Sequence, residues 1–99
     1  MWEVKIHRLV LEEDFKNIDN ADRKKILKSI RRKLSSEPLK FGAPLKGEFS
    51  GYRKLRAGDY RVIYRTKNEE LMVLVVKAGK RRDAEVYKQL VKRISRPRL

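Results

Sequence analysis

Two basic clusters, Tyr52-Arg53-Lys54-Leu55-Arg56 followed by Tyr60-Arg61, and Gly79-Lys80-Arg81-Arg82, bracket alternating apolar segments and lead to Tyr87. Guanidinium groups clamp phosphate oxygens through a planar fork, and ammonium groups act on them as point charges. Aromatic faces set among such cations suit the unstacked bases of single-stranded RNA. Tyr87 is the ring singled out, because it follows the second cluster by about one helical turn. Tyr52, Tyr60 and Tyr64 read more simply as sheet or core residues. The layout describes a surface for handling RNA.

Ala57-Gly58-Asp59, lying between two alternating segments, signals a β-hairpin. With Ala57-Gly58 as the loop, Lys54 faces Arg61. With Gly58-Asp59, Arg56 does, and a three-residue loop puts Leu55 there instead. Either two-residue loop creates a like-charged cross-strand pair, destabilising by about 0.2–1 kcal/mol, which is easier to understand if an anion binds there. The competing reading is a solvated sheet edge kept charged against edge-to-edge association. Lys77 to Arg82 reads as a basic loop in which Gly79 turns the backbone.

Other chemistries are excluded by what is missing. His7 is the only histidine, so no histidine acid/base pair exists, and there is no cysteine for a thiolate nucleophile, a disulfide or a thiolate metal site. The acidic residues are scattered, which argues against two-metal and glycosidase-like sites. Gly79-Lys80 lacks the spacing and the following Ser or Thr of a P-loop. No metal or cofactor is expected.

The 99 residues suffice for one domain, spanning 1–99, and carry a net charge of +14. That charge repels itself and calls for a polyanion or a neutralising protein. Residues 1–20 hold three basic and five acidic side chains, against 24 and eight in the remainder, so the binding field lies beyond the first strand. No stretch approaches the roughly 20 apolar residues of a membrane span, and the N-terminus lacks a signal-peptide pattern. A soluble, cytoplasmic protein is expected.

The elements that must position these residues follow from periodicity. Trp2, Val4 and Ile6 alternate with charged residues as in a half-buried strand, with Trp2 as a core anchor. Leu11, Phe15 and Ile18 then recur at helical spacing. Asp19 or Asn20 can cap a second helix whose buried stripe is Ile26, Leu27, Ile30 and Leu34, ended by Ser35, Ser36 and Pro38. Residues 38–51 read as a connector. Strands are expected over Tyr52 to Arg56, Tyr60 to Lys67 and Leu71 to Val76, the last buried on both faces. Val86, Leu90, Val91 and Ile94 define a C-terminal helix. The order βααβββα gives an α+β fold, with a small antiparallel sheet, an N-terminal helical hairpin and a C-terminal helix.

Three segments carry a resemblance: Tyr52-Arg53-Lys54-Leu55-Arg56, Asp59-Tyr60-Arg61-Val62-Ile63-Tyr64, and Val76-Lys77-Ala78-Gly79-Lys80-Arg81 through Glu85-Val86-Tyr87. With the element order, they resemble the RelE branch of the RelE/ParE toxin superfamily, small basic toxins of toxin–antitoxin modules. The resemblance implies an mRNA interferase that enters the ribosomal A site, and a cognate RelB-like antitoxin that wraps and neutralises it. It implies metal-free cleavage by the ribose 2′-oxygen, leaving a 2′,3′-cyclic phosphate and a 5′-hydroxyl.

By the same resemblance Lys54 takes the 2′-hydroxyl proton, Arg61 stabilises the phosphorane, Arg81 serves the leaving 5′-oxygen and Tyr87 orients the RNA. Arg53, Arg56, Lys80 and Arg82 complete the expected RNA-binding set. Arg53 stands where the family pattern has a second lysine, in a strand one residue shorter. The histidine-free basic loop favours a RelE-type site. The alternatives are a ParE-like inhibitor of DNA gyrase and a noncatalytic RNA-binding module.

Overall fold

A computed structural model describes residues 1–80 and 85–94. Strand β1 (Glu3–Ile6) forms where apolar and charged residues alternate, and His7 ends it by accepting the Leu9 N–H on Nδ1 at 3.1 Å, capping α1 (Arg8–Glu12). The helix does not run on: the chain tightens into a 3-10 turn over Asp14–Asn17. The expected Leu11–Phe15–Ile18 stripe is therefore broken. Leu11 is 51% exposed, and Leu9 and Val10 turn inward with Phe15 and Ile18. Asp19 caps α2 (Asn20–Ser29) by accepting the Asp22 N–H at 2.9 Å, and the helix continues as a π turn over Ile30–Leu34. Ile26, Ile30 and Leu34 are fully buried, whereas Leu27 is only partly so.

Pro38 opens a further short helix, α3 (Pro38–Phe41), because its fixed φ is already helical and its missing N–H would be unpaired in a first turn anyway. The connector expected over 38–51 thus holds α3, the two-residue strand β2 (Ala43–Pro44) and a 3-10 turn at Gly47–Phe49. Strands β3 (Arg53–Ala57), β4 (Tyr60–Lys67) and β5 (Met72–Lys80) then form a meander, followed by α4 (Glu85–Ile94).

The five strands lie in the order β1-β5-β4-β3-β2. The α+β class holds, but the sheet is mixed: β1 runs parallel to β5, from Glu3 opposite Met72 to Ile6 opposite Val75, and the other pairs are antiparallel. A long connection through the helices permits a parallel pair that a tight hairpin would forbid. Gly58-Asp59 is the hairpin loop, with Gly58 at φ +62°, a conformation that a Cβ opposes. Strand β5 continues to Lys80, so Lys77, Ala78 and Gly79 belong to the sheet and not to a loop. Gly79 turns nothing. A Cβ there would meet Val86 Cγ2 at 2.6 Å, so its bare backbone is what lets α4 approach.

One core lies between the sheet and the α1–α2 hairpin, built from Val10, Phe15, Ile18, Ile26, Ile30 and Leu34 against Leu55, Val62, Tyr64, Val73 and Val75. Trp2 packs at its margin, partly buried. A smaller core on the opposite face joins Ile63 and Val76 to Leu90 of α4, with Phe49, Tyr52, Tyr87 and Ile94 around it. The hairpin tip is tied to α2 by Tyr60, whose hydroxyl donates to Asp22 Oδ2 at 2.8 Å.

That hydrogen bond to the Asp22 carboxylate, with some burial, pushes the Tyr60 phenol from 10.0 up to about 12. A folded pKa above the unfolded one stabilises the protonated form, fully below the unfolded value and not at all once pH passes the folded one. The Tm advantage of wild type over Tyr60→Phe should hold below pH 10 and vanish as pH rises to about 12. A difference in thermal melts that ignores pH across that window would contradict the assignment.

An unexpected group of buried charges also gathers against strand β5. A β-bulge opposite Ile63 and Tyr64 shifts its alternation, so that Val75 and Ala78 both reach the hairpin-side core and Lys77 between them turns to Asp14. Lys77, Asp14 and Arg93 are 3%, 8% and 4% exposed. Arg93 occupies a buried position on α4, while Val91, expected to be apolar core, is 37% exposed.

Candidate functional site

The two-residue alternation of β3 sends Leu55 and Ala57 into the hairpin-side core and turns Lys54 and Arg56 to the α4 side of the sheet. The register sets Lys54 opposite Ile63, a residue of the α4-side core, and Arg56 opposite Arg61. The like-charged pair is therefore real. Lys54, Arg56 and Arg61, with Phe41 and Ala43, line a depression of about 210 Å³. Among the described residues none of these three cations is in an ion pair with a carboxylate.

Tyr87, in the first turn of α4, lies against Arg61. The Arg61 guanidinium carbon lies 5.0 Å from the Tyr87 ring centroid, within cation–π range, and the Phe49 ring supports Tyr87 at 5.5 Å with the planes 44° apart. The stack restrains Arg61 without neutralising it. Phe41, 46% exposed beside the cations, and Phe49 were not singled out by sequence, because both sit in the Pro- and Gly-rich connector where no periodicity marks them.

Arg53 does not join the cluster. It lies on the Leu55 side of β3, where its Nη2 donates to the carbonyls of Leu39, at 2.8 Å, and Gly42. It fastens α3 and β2 to the sheet, so it does not line the cleft beside Lys54 as expected. Tyr64 lies in the same region, fully buried, with its hydroxyl donating to the Pro38 carbonyl and its phenol pushed up by burial. Lys80 stands opposite Tyr60 at the end of β5 and lines a different cavity, of about 500 Å³, with Asp14, Lys77 and Arg93. Arg81 and Arg82 lie outside the described residues.

Three cations that have no carboxylate partner among the described residues, beside a stacked aromatic ring, can grip a phosphodiester and stabilise charge developing on its oxygens. Among the described residues no three His, Cys, Asp or Glu side chains converge as metal ligands, and no helix is long and apolar enough to cross a membrane.

The fold is that of the RelE toxins: the toxin in the crystal structure of the RelBE2 toxin–antitoxin complex from Mycobacterium tuberculosis superposes with a TM-score of 0.76 at 27% identity, covering 83% of this chain and 93% of that one. The archaeal RelE–RelB complex from Pyrococcus horikoshii gives 0.64 at 26% identity, over 84% and 98% of the respective chains. A family model described as the ParE toxin of the type II toxin–antitoxin system, parDE, matches residues 4–85. The mRNA interferase toxin RelE of Escherichia coli K12 is 31% identical over 83 residues, which is 83% of this chain and 86% of that protein. Toxin RelG of Mycobacterium tuberculosis is 38% identical over 56 residues, which is 57% of this chain and 62% of that protein. The chain belongs to the RelE/ParE superfamily, as a RelE-family toxin of a type II toxin–antitoxin system.

Proposed function

We propose that the chain is a ribosome-dependent endoribonuclease that cuts mRNA in the A site by metal-free attack of a ribose 2′-oxygen. The observation that carries this reading is the grouping of Lys54, Arg56 and Arg61 in one cleft with Tyr87 stacked on Arg61. Lys54 takes the 2′-hydroxyl proton as the 2′-oxygen bonds to phosphorus. Arg61, with Arg56 beside it, stabilises the phosphorane oxygens, and the bond to the 5′-oxygen breaks, leaving a 2′,3′-cyclic phosphate and a 5′-hydroxyl. Arg81 is assigned to that leaving oxygen, with Arg82 as a flanking phosphate contact, while Lys80, which lines the other cavity, is left out. Tyr87 holds Arg61 and offers its ring edge to a base. Arg53 is dropped from the RNA-binding set. The E. coli relative is named an mRNA interferase, which supports the same chemistry here.

The partner is a RelB-like antitoxin, acidic enough to meet a charge of +14, as the complexes formed by the similar toxins suggest. The second reading is a gyrase inhibitor of ParE type, favoured by the description of the family model that matches residues 4–85.

Positioning by the ribosome supplies much of the substrate geometry, so naked RNA should be cut far more slowly than translated mRNA. Mapping of 5′ ends during translation should place cuts within A-site codons, with products that carry 2′,3′-cyclic phosphates. Efficient EDTA-sensitive cutting of naked RNA would sink the mechanism. Inhibition of gyrase supercoiling without any mRNA cutting would establish the second reading instead.

A further inference from the structure

The buried charges gathered against β5 lie at a defect in the sheet. Strand β1 ends at Ile6, and the last bond on that side of β5 is the His7 N–H donating to the Val75 carbonyl at 2.8 Å. Beyond it, among the described residues, the edge of β5 has no strand beside it. Arg93 Nη1 donates to the Val76 carbonyl at 2.9 Å, and Asp14 Oδ2 accepts the Ala78 N–H at 2.9 Å, so two side chains replace the missing ladder. The same Asp14 accepts from Arg93 Nη1 at 2.9 Å and Nη2 at 3.1 Å, and from Lys77 Nζ at 2.7 Å. Lys77 also donates to Gln89 of α4, and Arg93 Nη2 to Glu13 at 3.2 Å.

The apolar contacts of Val86 and Leu90 that also hold α4 are non-directional and by themselves specify rotation about the helix axis less sharply than a hydrogen bond does. A forked, charge-assisted arginine contact is directional. At 3.6 residues per turn, the six steps from Tyr87 to Arg93 separate their side chains by about 120° around the axis. Fixing Arg93 at the sheet edge therefore fixes where Tyr87 points. We propose that Arg93, anchored by Asp14 and the Val76 carbonyl, is a positioning residue that sets the Tyr87 ring against Arg61. Its bearing on cleavage rests on the functional reading above, while the positioning itself does not.

The test compares wild type with Arg93→Met, which keeps an unbranched stem and loses the fork, and Arg93→Lys, which keeps the charge. In Arg93→Met the ring-current shift of the Arg61 side-chain resonances should collapse, and amides 86–94 should exchange about tenfold faster while β4 and β5 keep their protection. Single-turnover cutting should fall by about tenfold or more with ribosome affinity unchanged. Arg93→Lys should recover part of each. Unchanged Arg61 resonances and helix exchange in Arg93→Met would overturn the proposal, as would equal acceleration of helix and sheet, which marks a merely structural role. If Arg93→Met does not fold, the same readouts on Arg93→Lys decide. A wild-type protein that does not cut ribosome-bound mRNA refutes the nuclease reading alone, and the resonance and exchange measurements still decide the role of Arg93.

Discussion

Arg61→Ala should abolish most mRNA cutting and leave the fold intact. Arg61 faces Arg56 across the hairpin and stacks on Tyr87, and among the described residues no buried hydrogen bond depends on its side chain. Loss of one preplaced transition-state donor typically costs about 10²–10³ in rate, or roughly 3–4 kcal/mol. Removing one of many phosphate contacts changes general affinity far less at physiological salt. Stability should change by less than about 1 kcal/mol, because relief of the like-charged cross-strand pair is offset by loss of the Tyr87 contact. Single-turnover cutting on programmed ribosomes, set beside ribosome binding, checks both halves. A near wild-type rate would mean that the cleft formed by β3 and β4 is not where the phosphorus reacts.

Asp14→Ala should destabilise the fold far more than Arg61→Ala or Tyr60→Phe. It removes the acceptor of four hydrogen bonds and leaves Lys77 and Arg93 buried with one weak counter-charge, the largely exposed Glu13. Breaking a buried ion pair from one side costs about 3–5 kcal/mol, where replacing all its members by apolar groups is often neutral. In a domain of this size that corresponds to a fall in Tm of at least about 12 °C. Adding Lys77→Met and Arg93→Met should recover part of the loss. It cannot recover all, because the Ala78 N–H and the Val76 carbonyl remain without partners at the sheet edge. A cost below about 1 kcal/mol in calorimetry of Asp14→Ala would show that water reaches the cluster freely.

The hairpin was legible because period-two alternation and Gly58 leave few registers, and one of the two like-charged pairings is the observed one. The same alternation contained the fact that Arg53 shares its face with Leu55, since residues two apart in a strand must. The family pattern, in which that position is a lysine of the site, drew the reading the other way. Lys77 and Arg93 were hidden for a different reason. A charge at the end of an apolar run reads as the place where solvent begins, and nothing local reveals that Asp14, more than 60 residues away in the chain, neutralises it. Helix α3 and strand β2 are too short for any period to show, and they are held from outside, by the Arg53 guanidinium and the edge of β3.

The parallel pairing of β1 with β5 sets the order in which the chain can fold as it is made. Glu3 to Ile6 leave the ribosome first, but their partners Met72 to Val75 are synthesised almost seventy residues later. Val10, Phe15 and the stripe of α2 likewise wait for Val73, Val75 and Ala78 before they have a surface to cover. Such non-local contacts carry the loop-closure cost that slows folding. Tyr87 arrives later still. A nascent chain therefore has Lys54, Arg56 and Arg61 in hand before the ring that stacks on Arg61 exists, so the cation cluster gains its aromatic wall only when β5 and α4 have emerged.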